Sequence, residues 1–331
     1  MNRFRALVAE QNAAGNYDVA LKELSNEELP PGGDVVVDIA FSSLNYKDAL
    51  AVTGRGKIIR KFPMVPGIDL AGTVVESTDS RYQPGDRVIG LAHGLGELHW
   101  GGYAERQRVR GDVLVPLPRT LSLEDSMRIG TAGFTAMLCV LALEHAGIVP
   151  SEREVVVTGA AGGVGSLAVM LLAKRGFRVA ASTGRAELEP YLRELGASSI
   201  IARDDLAKKG GALQSEKWAG AIDTVGGQTL ATLLAQTVYE GAIAACGMAG
   251  GAELNTTVFP LILRNVSLLG VSSIETSMPK RLEAWSRLES DLDREKLASL
   301  SRTEPLSKIA ELSDEILAGQ VRGRIVINVH D

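Results

Sequence analysis

The pattern of hydrophobic and polar positions changes period near residue 122. Before that point, short apolar or alternating runs (DVVVDIAF, LAGTVVES, DRVIGLA, YAERQRV, DVLVPLP) are separated by Gly, Pro and Asp turns such as PPGGD and QPGD. Alternation broken by turn formers predicts short strands at close spacing, as in a small β-barrel or sandwich. After it, SLEDSMRIG and FTAMLCVLALEHAG predict helices, VVVTG a strand, LAVMLLAKRG a helix and FRVAAS a strand. Strands alternating with helices predict right-handed βαβ units on a parallel sheet. Further strands are expected at 199–202, 219–223, 241–246 and 266–271. The amphipathic helices PKRLEAWSRLESDL and SKIAELSDEILAG follow, and a last strand, RIVINV, is expected to rejoin the first domain.

Length and composition narrow the picture. At 331 residues the chain suggests two domains, and 45% hydrophobic with 23% charged residues is ordinary for a globular protein. The net charge of -5 argues against general attraction to nucleic acid or anionic membrane, so an anionic substrate needs a local basic site. The longest nearly unbroken apolar stretch, AMLCVLAL, falls short of a bilayer span, and the opening MNRFRALVAEQ lacks the apolar core of a secretory signal. A cytoplasmic location is expected. Cys139 and Cys246 lie in apolar runs and read as core residues rather than as a disulfide framework or metal pair.

The segment EVVVTGAAGGVGSLAVMLLAKRGFRVAASTGR carries the most specific chemistry. A β-branched run leads into Ala160-x-Gly162-x-x-Gly165, a GxGxxG variant, and then into a helix. Glycine at 162 lets backbone approach a pyrophosphate, and glycine at 165 lets the helix press onto the strand. Residues Ala161, Gly162, Gly163, Val164 and Gly165 present the helix N-terminus to the anion. At the end of the second strand stand Ser182, Thr183, Gly184 and Arg185, where an NAD enzyme usually carries a carboxylate. No carboxylate repels a 2'-phosphate there, and hydroxyls and a guanidinium can bind it, so NADPH is expected over NADH. Arg203, just past the next strand, reads equally as a second phosphate or adenine contact and as a surface residue.

With that turn placed, longer motifs extend the pattern. SSLNYKDALAVTG, FPMVPGIDLAGTV, HWGGYAE, IGTAGFTAMLCV, WAGAIDTVGG and FPLILRNVSLLGVSS resemble the medium-chain dehydrogenase/reductase superfamily over essentially the full length. Within it they resemble the quinone oxidoreductase branch typified by YhdH and YhfP. The resemblance implies an α/β fold: a GroES-like β-rich catalytic domain (1–124 and 275–331) and a Rossmann NADPH-binding domain with a doubly wound parallel sheet (125–274). Zinc alcohol dehydrogenases of the superfamily have Gly-His-Glu where this chain has Gly67-Ile68-Asp69. A zinc-independent site is therefore expected. His93 and His99, flanking a glycine-rich loop, read as loop-packing or substrate-lining residues in preference to metal ligands.

The resemblance further implies that Asn45 and Asp69 form the catalytic pair, Asn45 supplying amide donors to oxygen charge and Asp69 holding it or moving a proton. Read from the residues alone, Asn45 also fits a helix N-cap and Asp69 a turn before a strand. Tyr46 resembles a tyrosine near the nicotinamide, either as proton donor or as lining. Gly247, Met248, Ile262, Ser272 and Ser273 are expected near the nicotinamide end, and Arg322 and Arg324 are weaker candidates. The implied activity is reduction of acrylyl-CoA to propionyl-CoA, with quinone or enal reduction as the alternative and a catalytically silent NADPH sensor as another. For the CoA phosphates, Arg55, Lys57, Arg60 and Lys61 form a candidate grip; the alternative is a solvated basic loop. The apolar strand VSLLGV and the family point to a homodimer.

Overall fold

The computed structural model describes residues 3–12, 15 and 17–331. In chain order its strands are β1 (Arg3–Gln11), β2 (Tyr17–Ser25), β3 (Val35–Leu44), β4 (Asp69–Ser77), β5 (Arg87–Leu91), β6 (Arg106–Val109) and β7 (Leu114–Pro116). Then follow β8 (Val155–Val157), β9 (Val179–Thr183), β10 (Ser199–Ala202), β11 (Trp218–Asp223), β12 (Thr237–Ala245), β13 (Ser267–Gly270), β14 (Ser301–Pro305) and β15 (Arg324–Asn328). The chain forms two compact units, one of residues 1–131, 274–285 and 297–331, the other of 132–273 and 286–296.

In the first unit, β1 and β2 pair antiparallel. The larger sheet runs β14-β15-β3-β4-β5-β7, with β6 also on β3. β15 pairs antiparallel with β3, so the last strand returns to the β-rich part of the chain. β3 alternates little: Val35, Val36, Val37, Ile39 and Leu44 are all buried, packed with Leu70, Val74, Val88, Leu114, Ile325 and Ile327 into one core. The sequence pattern did not single out β1, β2 or β14.

The second unit is built on six parallel strands in the order β10-β9-β8-β11-β12-β13, the doubly wound arrangement in which strand order reverses beside the first strand. Val155, Val156 and Val157 are fully buried, as both-faces-covered parallel strands require. The switch point falls between β8 and β11. Ligands of open parallel sheets bind in the crevice at the carboxyl ends of such strands, which fixes where the glycine turn must be judged.

The two helices predicted around residue 130 are a single stretch, Leu123–His145, interrupted at Gly130, whose φ of 51° and ψ of -163° are not helical. Among the described residues this is the one helix whose length and apolarity would suffice to cross a bilayer. Its most apolar window is 78% buried within the fold.

Candidate active site

The segment SSLNYKD ends β3 and opens the helix Tyr46–Thr53, with Asn45 at the N-cap in extended conformation. The N-cap that the residues alone offered for Asn45 is therefore present. Asp48, at the third helical position, turns back so that its Oδ2 accepts from the Asn45 backbone N–H at 2.9 Å. The carboxamide Nδ2 of Asn45 donates to Oδ2 of Asp48 and to Oδ2 of Asp69, each at 2.9 Å. Arg324 Nη1 donates to Asn45 Oδ1 at 3.0 Å, which settles which way the amide faces.

Asp69, the first residue of β4, is fully buried. Its carboxylate accepts from the Ser43 hydroxyl, from the Thr131 hydroxyl and from the Thr131 backbone N–H at 2.9 Å. Thr131 follows the break at Gly130, so Asp69 caps the helical stretch that restarts there. Arg324 Nη2 donates to Ser43 Oγ at 2.8 Å and lies 4.0 Å from Asp69 Oδ2. Burial lowers the pKa of the Arg324 guanidinium, opposed by Asp69 and Asp48. Behind this array the two glycines of HWGGYAE press against the chain leading into Asp69: Gly102 N–H donates to the Gly67 carbonyl at 2.8 Å, and a β-carbon on Gly102 would lie 1.9 Å from the Asp69 carbonyl oxygen.

Asp48 is buried, accepts from the Ile68 N–H at 2.8 Å and has no ion pair among the described residues. Burial, reinforced by the Asp69 charge and resisted by the three hydrogen bonds, pushes its pKa up to about 7. Tyr103, fully buried, donates to the Ser43 carbonyl at 3.2 Å, and its hydroxyl is held well above the usual phenol range by burial. Tyr46 is different: it opens the helix with its ring exposed to solvent. His93 lies in a loop where both it and Ala92 have positive φ, and burial lowers its pKa, with Arg281 as the next cause.

In the second unit the glycine turn joins β8 to the helix Gly163–Lys174, with Gly162 at the N-cap. The glycines divide by cause. A β-carbon on Gly165 would lie 2.2 Å from the Gly159 carbonyl oxygen, so this glycine is demanded by helix-on-strand packing. One on Gly162 would lie 3.3 Å from the Gly159 carbonyl oxygen, a tight contact that a shift of a few tenths of an ångström relieves, so packing constrains this position far less. The N–H groups of Gly163, Val164 and Gly165 belong to the first turn, which an α-helix leaves without internal acceptors. Ala161 is buried beneath them.

At the end of β9 the Arg185 guanidinium reaches the Ala161 carbonyl at 3.5 Å, tying it to the glycine turn, and Arg185 N–H donates to Thr183 Oγ1 at 3.1 Å. The exposed Arg203 guanidinium packs on Gly184, whose β-carbon would lie 2.9 Å from its Cζ, and Nε sits 3.5 Å from Asp204. Two cations thus gather at one strand end beside a helix N-terminus, a donor set suited to a phosphate monoester next to a diphosphate. Ser182 and Thr183 are both buried, so neither of the two expected hydroxyls is open to solvent, and that of Thr183 is engaged by the Arg185 N–H. The carboxyl end of β11 is ordered by Asp223, which accepts from Thr158 Oγ1 at 2.7 Å and from Gly226 N–H at 2.8 Å; burial raises its pKa. Gly247 packs on the Thr224 carbonyl, 2.4 Å from where its β-carbon would be. Met248 and Ile262 are largely exposed, and Ser273 is half-buried.

The sequence-selected residues therefore fall into separate groups. Asn45 and Asp69 are in direct contact; Arg185, Arg203 and the glycine turn adjoin one another. Of the basic loop, Arg55 is paired with Asp314 at 2.7 Å, whereas Lys57, Arg60 and Lys61 are exposed. Of the two weaker candidates for a cofactor contact, Arg324 is buried in the Asn45 array and Arg322 is exposed. Ser43, Asp48, Thr131 and Gly130 were not singled out. Only Asp48 had a local signal, the N-x-x-D spacing of a helix cap; the others meet through long-range pairing. No three His, Cys, Asp or Glu side chains cluster to hold a metal among the described residues, and Ile68 offers no donor, so the residues present do not suit a zinc site.

A doubly wound nucleotide-binding unit in one chain with a GroES-like β-unit defines a class of reductase. Residues 31–119 match the alcohol dehydrogenase GroES-like domain and residues 163–288 the zinc-binding dehydrogenase family, and the chain belongs to the medium-chain dehydrogenase/reductase superfamily, in its YhdH/YhfP branch. It is 51% identical to a probable acrylyl-CoA reductase, AcuI, of Escherichia coli K12, covering 98% of this chain and 100% of that one. It is 48% identical to the acrylyl-CoA reductase AcuI of Ruegeria pomeroyi, with 99% of each covered. The crystal structure of the yhdH oxidoreductase from Salmonella enterica in complex with NADP superposes with a TM-score of 0.95 at 53% identity, covering 98% of this chain and 99% of that chain.

Proposed function

We propose that the protein reduces acrylyl-CoA to propionyl-CoA with NADPH. The observation that carries the reading is 51% identity to an acrylyl-CoA reductase along the whole chain. It is supported by the strand end at Ser182–Arg185, which offers a guanidinium and no carboxylate to a ribose 2'-phosphate.

NADPH, held by the residues named below, would supply the hydride that the β-carbon of the unsaturated thioester takes up. The displaced electron pair moves toward the thioester oxygen, and the α-carbon then takes a proton. The protein's part is to bind, orient and stabilise. The first-turn N–H groups at 163–165 hold the diphosphate, and Arg185 and Arg203 hold the 2'-phosphate. Asn45 stabilises the enolate oxygen with an amide donor, and Asp69, Ser43 and Arg324 fix its position. Because both hydrogens of Asn45 Nδ2 face carboxylates, donation to substrate requires release of one of them. Tyr46, exposed at the head of the helix, lines the reacting groups. Lys57, Arg60 and Lys61, with Arg55, attract the CoA phosphates.

The reaction is zinc-independent, which the donor set around Ile68 supports. A homodimer fits the edge strand β13 and the exposed apolar side chains of Val258, Phe259, Ile262, Leu263 and Leu268. A cytoplasmic location fits a cofactor and a substrate that are both polyanions. Assay of acrylyl-CoA, crotonyl-CoA and quinones with NADPH tests the reading, with and without a zinc chelator. Propionyl-CoA formation that is fastest with acrylyl-CoA and indifferent to chelation is expected. Turnover of quinones alone would favour the alternative.

A further inference from the structure

Asp48 carries an inference that rests on the role given to Asn45 above. Around the Asn45 amide stand two buried carboxylates that are served unequally. Asp69 has Ser43, both donors of Thr131, Asn45 and the neighbouring Arg324 guanidinium. Arg281, buried in the same unit, also acts on Asp69. Asp48 has the N–H of Ile68 and two donors of Asn45 but, among the described residues, no ion pair, and the Arg324 guanidinium acts on it through charge alone. The other charged or titratable groups around its helix are Tyr103 from the segment before β6, Tyr17 of β2 donating to the Ala51 carbonyl, Glu97 paired with Lys47, and Asp314 of the helix Ile309–Leu317 paired with Arg55. None of these donates to the Asp48 carboxylate. A buried carboxyl that has no ion-pair partner and stands beside a second carboxylate is more stable with a proton.

The state of Asp48 bears on the reaction through Asn45. As a carboxylate it holds one Nδ2 hydrogen by a charge-assisted bond and sets a negative charge beside the oxygen on which charge develops. As a neutral acid it holds that hydrogen weakly. We propose that Asp48 is a positioning residue of the reduction, and that its neutral form frees an Asn45 donor for the thioester oxygen whereas its ionised form withholds it. The elevated pKa of Asp48 agrees with the neutral form being populated near neutrality.

The test joins infrared titration of the NADPH-loaded enzyme, made with carboxyl-labelled aspartate, to the pH dependence of kcat. In the wild type a protonated-carboxyl band is expected at acid to neutral pH and to vanish as pH rises. Over the same range kcat should fall roughly tenfold per pH unit above the transition. Asp48→Asn should lack the band, and its ratio of low-pH to high-pH kcat should collapse toward one. A wild type without the band, or an Asp48→Asn enzyme with the wild-type pH dependence, overturns the proposal. If Asp48→Asn does not fold, the wild-type titration decides: band and kcat must share one transition. Asn45→Ala separates the two readings. If it turns over as fast as wild type, the Asn45 role fails and takes this proposal with it. If it is slow while Asp48→Asn keeps the wild-type profile, only the role of Asp48 fails.

Discussion

Gly130 faces the Arg324 guanidinium so closely that a β-carbon there would lie 2.5 Å from Nη2, and 2.7 Å from Asp69 Oδ2. Its φ of 51° with ψ of -163° is open to glycine and strained for any other residue. Backbone and space thus demand glycine for independent reasons.

Gly130→Ala should therefore damage both stability and turnover. The backbone conformation alone costs about 1–3 kcal/mol, and the displaced Arg324 loosens its hold on Asn45. A Tm lowered by several degrees with kcat reduced at least tenfold is expected, read by calorimetry and steady-state assay. A variant as stable and active as wild type would show that the break in the helix is incidental.

That relationship shows where the sequence was legible and where it was not. The βαβ alternation, the strand at 155–157 and the return of RIVINV followed from local periodicity, because burial on both faces or on one imposes a pattern on neighbouring residues. The glycine turn was readable because its requirements lie within six consecutive residues. The Asn45 array was only partly so. Asn45, Asp69, Thr131 and Arg324 are brought together by β3, β4 and β15 and by a helix break, over separations as large as 279 residues. Nothing adjacent to Arg324 distinguishes a buried amide-holding arginine from an exposed one ahead of an apolar strand.

The two guanidinium groups at the end of β9 predict cofactor preference. Arg185→Ala and Arg203→Ala should each raise the KM for NADPH about tenfold or more, since a charge-assisted hydrogen bond contributes about 1.5–3 kcal/mol. NADH, which lacks the 2'-phosphate, should be used nearly as before. Equal losses with both cofactors would remove these side chains from the phosphate site.

Linkage at Asp48 gives a stability prediction with a definite sign. Its folded-state pKa of about 7 lies above the 3.8 of a free aspartate side chain. The folded state therefore binds the proton more tightly, and the contribution is full below about 4 and lost as pH rises through 7. At most about 4 kcal/mol is involved, from about 1.4 kcal/mol per pKa unit. The stability of wild type relative to Asp48→Asn should decline between about pH 4 and 7 and level off above it. Urea unfolding across that range measures it, and a difference that rises with pH would contradict the assignment of the proton.

Gly162 and Gly165 should separate packing from binding. At Gly165 a methyl group would overlap the Gly159 carbonyl at 2.2 Å, so Gly165→Ala should unfold readily whether or not nucleotide is present. At Gly162 the contact with the Gly159 carbonyl oxygen would be 3.3 Å, which a shift of a few tenths of an ångström relieves, so Gly162→Ala should lose far less stability than Gly165→Ala. It should nevertheless bind NADPH more weakly, because the methyl group occupies space reserved for the diphosphate rather than for the protein. Nucleotide-induced shifts in Tm measure both effects at once. Wild-type NADPH affinity in Gly162→Ala would mean that the diphosphate does not approach the turn at this residue, and the case for a cofactor cradle there would have to rest on the helix N-terminus and Arg185 alone.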